Sequence, residues 1–288
     1  MSEVNVTRGM KKRTINHIIS KKIDKWIDTV DDPILKVRIR PAVIVTGGSI
    51  TSMLLGEMPN DFDVYFSDIT LAADLAKYYA EKMTNLETFV ITPRGDNSGV
   101  CLEVKHKNLI AADATFNIDA MTSAETGKYE PLFISANAIT LSDKIQLIFR
   151  FVGDPDTLHE NYDFVHTKNY WTESNGVVFN SAALAATLSK ELVYTGSRYP
   201  LCSMFRIKKF IKRGWTITAG DMLKIAWDIN ELDLKNIDVL KEQLIGVDYM
   251  YFIDLIRRME LDKEEKNIWD RAYIMDMIDL VFRGENDD

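Results

Sequence analysis

The chain has 288 residues and is poor in the residue types that form disulfides and zinc sites, with two cysteines and four histidines. Cys101 and Cys202 are far apart, and neither has a second cysteine or histidine at ligand spacing. This excludes a disulfide framework and predicts no zinc. Two isolated cysteines fit a reducing cytoplasm, where we expect the protein to act.

Long apolar runs are also missing. The first residues, MSEVNVTRGMKKRTINHIIS, lack the apolar core of about 7 to 15 residues that a signal peptide requires, so we expect no export signal. Apolar stretches elsewhere are interrupted well before the roughly 20 residues that span a bilayer. We therefore expect no membrane partner.

The chain has fewer positive than negative side chains. It contains 35 lysines and arginines and 43 aspartates and glutamates, which gives a formal net charge of −8. This balance argues against non-specific adhesion to nucleic acid or anionic membrane, while a local basic patch is still compatible with it. Hydrophobic residues make up 46% of the chain, enough for a sizeable core. The length indicates one large domain or two smaller ones.

The order of periodic segments predicts an α/β (α+β) fold. Apolar residues at helical spacing predict a helix over 11–29, and strands mixed with helices follow to about residue 175. Beyond that point the pattern is helical almost to the end. We predict a first domain over 1–175, a mixed sheet with flanking helices that includes the N-terminal helix, and a helical domain over 176–288.

The elements around the first glycine pair have distinct patterns. A buried strand that runs into a glycine turn is predicted by PAVIVTGG, a short helix by SITSMLLGE, and an alternating strand by NDFDVYFSD. The segment 106–129 has few periodic cues and is predicted to be a loop-rich insertion.

Three later segments are rich in residues that favour strands. Two strands are predicted by PLFISANAITL and KIQLIFRFV, and a further strand by DFVHTKNYW, which Asp163 opens. A short helix started by Asp154 and Pro155 precedes this last strand. The expected place of that strand is beside NDFDVYFSD in the sheet.

Two aspartates stand one residue apart in NDFDVYFSD. Because side chains alternate between the faces of a strand, Asp61 and Asp63 point to one side, about 6 to 7 Å apart, while Phe62 and Val64 point to the other. Neighbouring carboxylates repel each other unless a cation lies between them. Mg²⁺ prefers oxygen ligands and commonly takes one or two carboxylates plus substrate phosphates, so the pair predicts a metal site.

The turn before the short helix has a complementary composition. Glycine lets the backbone approach a ligand closely, and amides at the start of a helix favour an anion. Gly47, Gly48 and Ser49 are therefore predicted to hold phosphate groups, with the Ser49 hydroxyl as a further contact. Each motif alone is common as a plain turn or a solvated strand edge. Together and at this spacing they suit a nucleoside triphosphate bound with magnesium.

The stretch TGGSITSMLLGEMPNDFDVYF resembles the signature of the DNA polymerase beta-like nucleotidyltransferase superfamily, which has a glycine turn, a short helix, and two acidic residues flanking one apolar residue on a strand. Together with ISANAITLSDKIQLIFRF and DPDTLHENYDFVHTKNYW, it is also similar to nucleotidyltransferase-like proteins of bacterial viruses. The resemblance implies a nucleotidyltransferase-type sheet and two Mg²⁺ ions, for which Mn²⁺ is a substitute. The implied reaction moves a nucleoside monophosphate from an NTP to an acceptor hydroxyl and releases pyrophosphate.

Members of the superfamily usually have a third carboxylate on a later strand. The resemblance implies Asp163 for this role, with Asp119 and Asp113 as alternatives. Asp61, Asp63 and Asp163 are then both the catalytic and the metal-binding residues. A turn or helix-terminal aspartate without a catalytic role is the other interpretation of Asp163.

A helix over SMFRIKKFIKRGW is rich in cations. Arg206, Lys209 and Arg213 fall at i, i+3 and i+7 on one face, and superfamily members commonly bind the base or the acceptor through a helical domain. We predict that these three residues bind the nucleotide. A solvated face with snorkelling side chains is the alternative.

The sequence leaves the acceptor open among RNA such as tRNA, a protein and a small molecule. Net acidity makes a long nucleic-acid footprint less favourable without excluding a tRNA end. The rival function is a catalytically silent nucleotidyltransferase fold that acts as a nucleotide-binding or interaction module. A lost metal carboxylate would mark such a module.

Overall fold

The computed structural model describes residues 9–96, 98–106 and 128–243, together with isolated positions between 272 and 279. Most of the insertion predicted over 106–129, including Asp113 and Asp119, lies outside the described residues. The chain divides into two compact units, Met1–Thr195 and Gly196–Asp288.

The first unit contains helices and strands in alternation. Its helices are α1 (Lys12–Thr29), α2 (Pro33–Ala42), α3 (Gly48–Leu54), α4 (Ile69–Lys82), α5 (Pro155–His159) and α6 (Ser181–Ser189). Its strands are β1 (Val43–Thr46), β2 (Phe62–Phe66), β3 (Leu86–Pro93), β4 (Val100–His106), β5 (Pro131–Ile134), β6 (Ala138–Leu141), β7 (Ile145–Val152), β8 (Tyr170–Thr172), β9 (Gly176–Val178) and β10 (Glu191–Leu192).

The described part of the second unit is mainly helical. It contains α7 (Pro200–Lys212), the short strand β11 (Thr216–Ile217), α8 (Ala219–Asn230) and α9 (Ile237–Gln243). No helix among the described residues of either unit is both long enough and apolar enough to cross a membrane.

Seven strands form one mixed sheet in the order β5-β6-β7-β2-β1-β8-β9. The central strand β2 runs antiparallel to β1 and parallel to β7. Strands β3 and β4 form a separate antiparallel hairpin. The predicted fold class, a mixed α/β sheet with flanking helices followed by a helical region, is confirmed.

The core lies on one face of this sheet. Phe62, Val64 and Phe66 of β2 are buried there against α1 and α4, and the indole of Trp26 donates a 2.8 Å hydrogen bond to the Tyr79 hydroxyl. Each fully buried large apolar side chain contributes about 1.5–3 kcal/mol relative to an exposed one. The alternating pattern of β2 therefore fixes which of its faces is core and which carries the aspartates.

Aspartates fix the starts of several helices. The Asp32 carboxylate accepts hydrogen bonds from two amides of the first turn of α2, with Pro33 as the first helical residue. Asp68 caps α4 in the same way, and Asp154 caps α5 ahead of Pro155. Such caps each contribute about 0.5–2 kcal/mol. The short helix predicted after Asp154 is therefore present where the sequence places it.

The strand predicted over DFVHTKNYW is wrong for most of its length. Asp163 lies in the bend after α5, Val165–Thr167 is one turn of 3₁₀ helix, and only Tyr170–Thr172 is a strand. That strand pairs with β1, not β2. Both edges of β2 are already paired, with β1 and β7, so no further strand has a place beside it.

Two further boundaries differ from the sequence analysis. PLFISANAITL forms two strands, β5 and β6, which pair antiparallel across a short turn. Gly176–Val178 is the edge strand of the large sheet, and α6 also belongs to the first unit. The division between compact units therefore follows Thr195, whereas the sequence suggests a boundary near 175.

Candidate functional site

The aspartate pair lies where the central strand begins. Asp63 is a half-buried residue of β2 paired with Thr46, the last residue of β1. Asp61 is exposed and immediately precedes β2. Because Asp61 and Asp63 are two positions apart, they lie on the face opposite the apolar core residues Phe62 and Val64.

Gly47 brings the glycine turn into contact with this carboxylate. It has φ 92° and ψ −153°, a conformation that residues with a side chain rarely adopt. A Cβ atom on Gly47 would lie 2.7 Å from Oδ2 of Asp63, whereas one on Gly48 would meet no atom within 4 Å. The turn and the Asp63 carboxylate are therefore adjacent, and any other residue at 47 would strain the backbone and displace the carboxylate.

Ser49 follows within the first turn of α3. Its side chain is only 3% exposed, and its hydroxyl oxygen makes no hydrogen bond with any residue that the structure describes. Buried hydroxyls are normally hydrogen-bonded, so an unsatisfied one requires an explanation such as a bound water or ligand. A phosphate oxygen at the turn would accept a hydrogen bond from this hydroxyl.

A buried hydrogen-bond network holds Thr46, the residue that precedes the glycine turn. The fully buried Thr46 hydroxyl lies 2.9 Å from Nε2 of His159 and 2.9 Å from the carbonyl oxygen of Asn169. Burial lowers the pKa of His159 to about 4, and the positive charge of Lys168 acts in the same direction. A neutral His159 donates from Nε2 to the Thr46 hydroxyl, which in turn donates to the Asn169 carbonyl.

Aromatic rings line the sheet face next to Asp63. The Tyr162 ring lies 5.2 Å from the His159 ring and 6.1 Å from the Tyr65 ring, measured between centroids. Burial raises the pKa of Tyr162 well above its usual value, with Tyr65 and the Asp63 charge acting in the same direction. The Asp63 carboxylate therefore lies between these buried aromatic rings and the solvent.

The connection before β8 passes directly beside the glycine turn, because the Gly47 amide donates a 3.2 Å hydrogen bond to the carbonyl of Thr167. The next residue, Lys168, is half-buried. Burial lowers the pKa of its ammonium group, and the opposite charge of Asp163 counteracts this shift. No sequence signal marks Lys168, because DFVHTKNYW is typical of a strand and not of a connection beside the glycine turn.

The third carboxylate is not brought to the pair within the described residues. Asp163 is 7% exposed and electrostatically coupled to Lys168, and its backbone carbonyl accepts a hydrogen bond from the Thr195 amide. Across the described ranges, no group of three or more histidine, cysteine, aspartate or glutamate side chains is placed to hold a metal ion.

The strand parallel to β2 contributes an amide instead of a carboxylate. Gln146 of β7 is the register partner of Asp63, so the two side chains lie on the same face. Gln146 is half-buried, and its side chain makes no hydrogen bond within the part of the chain that the structure describes. An alternating strand pattern identifies the face of Gln146, but only the sheet order identifies its neighbour.

The fit of this site to Mg²⁺ follows from its donors. Two carboxylates beside an open turn suit one Mg²⁺ that takes its remaining ligands from water and phosphate oxygens. His159 and His166 are both buried.

The basic residues predicted to bind nucleotide belong to the second unit. Arg206 and Lys209 are exposed on α7, and Arg213 follows its last residue. The guanidinium carbon of Arg213 lies 5.5 Å from the centre of the Phe210 ring. Their common face stays a prediction from their spacing.

Comparison with known proteins identifies the family. Residues 17–190, more than half of the chain and including the glycine turn and the aspartate pair, match the model of the Gabija anti-defense 2 family. The chain belongs to this family. A curated relative, Gabija anti-defense 2 of Bacillus phage SPbetaL7, is 22% identical over 237 residues, which are 78% of this chain and 46% of the relative. The chain thus spans about half the length of that relative, whose phage source agrees with the similarity seen in the sequence.

Solved structures with some likeness are CCA-adding enzymes. A complex of such an enzyme with ATP has a TM-score of 0.42 at 13% identity, covering 92% of this chain and 58% of the enzyme. The Thermotoga maritima CCA-adding enzyme complexed with tRNA has a TM-score of 0.39 at 12% identity, covering 91% of this chain and 60% of the enzyme.

Proposed function

We propose that this member of the Gabija anti-defense 2 family is a Mg²⁺-dependent nucleotidyltransferase that counteracts a host defence. The observation that carries the proposal is the closeness of the Gly47 turn to the Asp63 carboxylate, whose Oδ2 lies 2.7 Å from the position of a Cβ on Gly47. It places the glycine turn, where a Cβ on Gly48 would meet no atom within 4 Å, beside a carboxylate pair that suits Mg²⁺, and a metal-bound triphosphate needs both groups side by side.

Each residue has a distinct task in this proposal. Asp61 and Asp63 hold the metal, the backbone of Gly47 and Gly48 lies along the triphosphate, and the Ser49 hydroxyl donates to a phosphate oxygen. Bound Mg²⁺ neutralises the triphosphate and stabilises the charge that develops when pyrophosphate leaves. The protein itself mainly aligns an acceptor hydroxyl with the α-phosphorus.

Asp163 and the basic face of α7 are secondary parts of the proposal. A two-ion mechanism needs a third carboxylate, and Asp163 stays our prediction for it. Its test is whether Asp163→Asn lowers transfer as strongly as Asp63→Asn. We propose that Arg206, Lys209 and Arg213 bind phosphates of the nucleotide or the acceptor, and Lys209→Ala tests this by its effect on KM.

A silent nucleotide-binding module is the second candidate function. The specific observation in its favour is that Gln146, not a carboxylate, is paired with Asp63. Such a protein would bind Mg²⁺ and NTP through the same two aspartates without transferring a nucleotide.

The decisive experiment combines binding with transfer. We expect Mg²⁺ plus NTP to raise the melting temperature of the wild type, because a ligand bound only by the folded state adds about 2.7 kcal/mol at a hundredfold excess over Kd. We also expect label from an α-³²P NTP to move to an acceptor in cell extract. Both effects should vanish in the double variant Asp61→Asn, Asp63→Asn.

Asp28→Asn is the matched control, because Asp28 is an exposed aspartate of the same unit and carries the same change of charge. Its binding and transfer should equal those of the wild type. Binding without transfer to any acceptor would favour the silent module. A melting temperature unaffected by Mg²⁺ and NTP would exclude both candidates.

A further inference from the structure

A row of paired residues crosses the sheet on the side of the aspartates. Starting from β1, the register partners are Thr46 with Asp63, Asp63 with Gln146, Gln146 with Thr140, and Thr140 with Phe133. Directly paired residues of adjacent strands share a face, so the five side chains form one line. We call Gln146, Thr140 and Phe133, which lie on the β7 side of Asp63, the acceptor row.

The in-line geometry of nucleotidyl transfer indicates that the acceptor binds over this row. In nucleotidyl transfer the attacking and leaving oxygens lie roughly in line through the phosphorus. The proposed triphosphate site at Gly47 and Ser49 lies on the β1 side of Asp63, so pyrophosphate leaves toward β1. The acceptor hydroxyl must then approach from the β7 side, over Gln146 and Thr140.

The acceptor row has the surface properties of an unoccupied contact site. Gln146 and Thr140 are half-buried, and neither side chain makes a hydrogen bond with any residue that the structure describes. Phe133, at the end of the row, is 39% exposed although it is a large apolar residue of a strand. The row therefore offers two polar groups for orienting a hydroxyl and one ring for an apolar contact.

The row contains no positive charge. Lys144, on the turn between β6 and β7, has its ammonium group 3.2 Å from the carbonyl oxygen of Pro59, to which it donates. Nucleic acids are bound largely through their phosphates by lysine and arginine, so an uncharged row on an acidic chain is poorly suited to an RNA or DNA end. Its composition suits a neutral acceptor.

Distances favour a peptide over a small alcohol. Neighbouring strands lie about 4.8 Å apart, so Gln146 and Phe133, two strands apart, are separated by about 10 Å. An extended peptide covers this distance in about three residues. A hydroxyl over Gln146 and an apolar side chain over Phe133 can thus belong to one short segment of a protein.

We propose that the acceptor is a serine, threonine or tyrosine hydroxyl of another protein, bound along the acceptor row with an apolar neighbour on Phe133. This inference rests on the proposed nucleotidyl transfer. The hydroxyl oxygen forms a bond to the α-phosphorus, the bond from that phosphorus to pyrophosphate breaks, and the hydroxyl proton passes to water. The product is a phosphodiester between the side chain and a nucleoside monophosphate.

The test is transfer from each α-³²P NTP, with Mg²⁺, to a soluble extract of Bacillus cells that is afterwards divided and treated with ribonuclease or protease. We expect label that resists ribonuclease and is released by protease. Phe133→Ala and Gln146→Ala should lower the rate roughly tenfold at limiting extract, in line with the loss of one stacking or polar contact. The rate should recover as extract concentration rises, because the defect is in acceptor KM.

Val90→Ala is the matched control, since Val90 is another exposed apolar strand residue, on β3. It should leave transfer unchanged, and Phe133→Leu should restore part of the loss. Ribonuclease-sensitive label, or protein label insensitive to both row variants, would overturn the acceptor assignment while the aspartate-dependent reaction stands. Failure of Mg²⁺ and NTP to bind the wild type would instead overturn the nucleotidyltransferase proposal, and no label despite binding would overturn both.

Discussion

The two faces of β2 differ sharply although their residues alternate along one short strand. Phe66 and Val64 are fully buried in the main core, while Asp63 on the opposite face borders solvent and the glycine turn. One face depends on tight packing and the other on open space beside charged oxygens. The strand shows how a rigid core positions a site, because any shift of register that moves the aspartates must also move the core residues.

The largest effect on stability is expected on the core face. The Phe66 ring is stacked on Phe149, with centroids 5.8 Å apart, so Phe66→Ala leaves a cavity and should lower the free energy of unfolding by about 3–5 kcal/mol. Urea unfolding followed by circular dichroism measures this. On the other face, Asp63→Asn should change the same free energy by less than about 0.5 kcal/mol. Equal losses would mean that both faces are structural.

A smaller effect is expected at the turn between the faces. Gly47→Ala forces an unfavourable backbone conformation and places a Cβ atom against Asp63, which should cost about 1–3 kcal/mol of unfolding free energy and weaken Mg²⁺-dependent NTP binding. Gly48→Ala is the matched control, because its Cβ would meet no atom and alanine favours a helix by up to about 1 kcal/mol. Equal behaviour of the two variants would show that the contact with Asp63 is unimportant.

The smallest effect is expected for the pH dependence of stability that arises from His159, which bonds to Thr46. The ordinary pKa of histidine, 6.5, is lowered to about 4 for His159 in the folded protein, mainly by burial, with Lys168 acting in the same direction and Asp156 against it. The unfolded chain therefore binds a proton below about pH 6.5 before the folded one does. The stability present above that pH is lost as pH falls toward 4, by about 1–2 kcal/mol between pH 7 and pH 5.

Chemical unfolding at pH 7 and pH 5 measures this difference for the wild type and for His159→Gln, in which the difference should shrink. His17→Gln is the control, because His17 is exposed on α1. An unchanged difference in His159→Gln would assign the pH dependence to other groups. In that case His159 would contribute only its contact with Thr46.

Much of the first unit follows from local sequence. The glycine turn, the short α3, the alternation of β2 and the cap of α5 depend on residues that are close in the chain, and the structure has each of them near its predicted place. The strand assigned to the Asp163 segment fails for a different reason. Its β-favouring residues form a 3₁₀ turn and a short strand that pairs with β1. They cannot pair with β2, because both edges of β2 are already paired with β1 and β7.

The sequence by itself determined the face on which Asp61 and Asp63 lie and their distance along the chain from Gly47, because side-chain alternation and short connections are local properties. Only the tertiary structure decided that Oδ2 of Asp63 lies 2.7 Å from the position of a Cβ on Gly47, that His159 bonds to Thr46, and that Gln146 is the register partner of Asp63. The last two neighbours come from strand order and register, which depend on the packing of segments roughly 80 to 110 residues apart and have no signature in any single stretch of the chain.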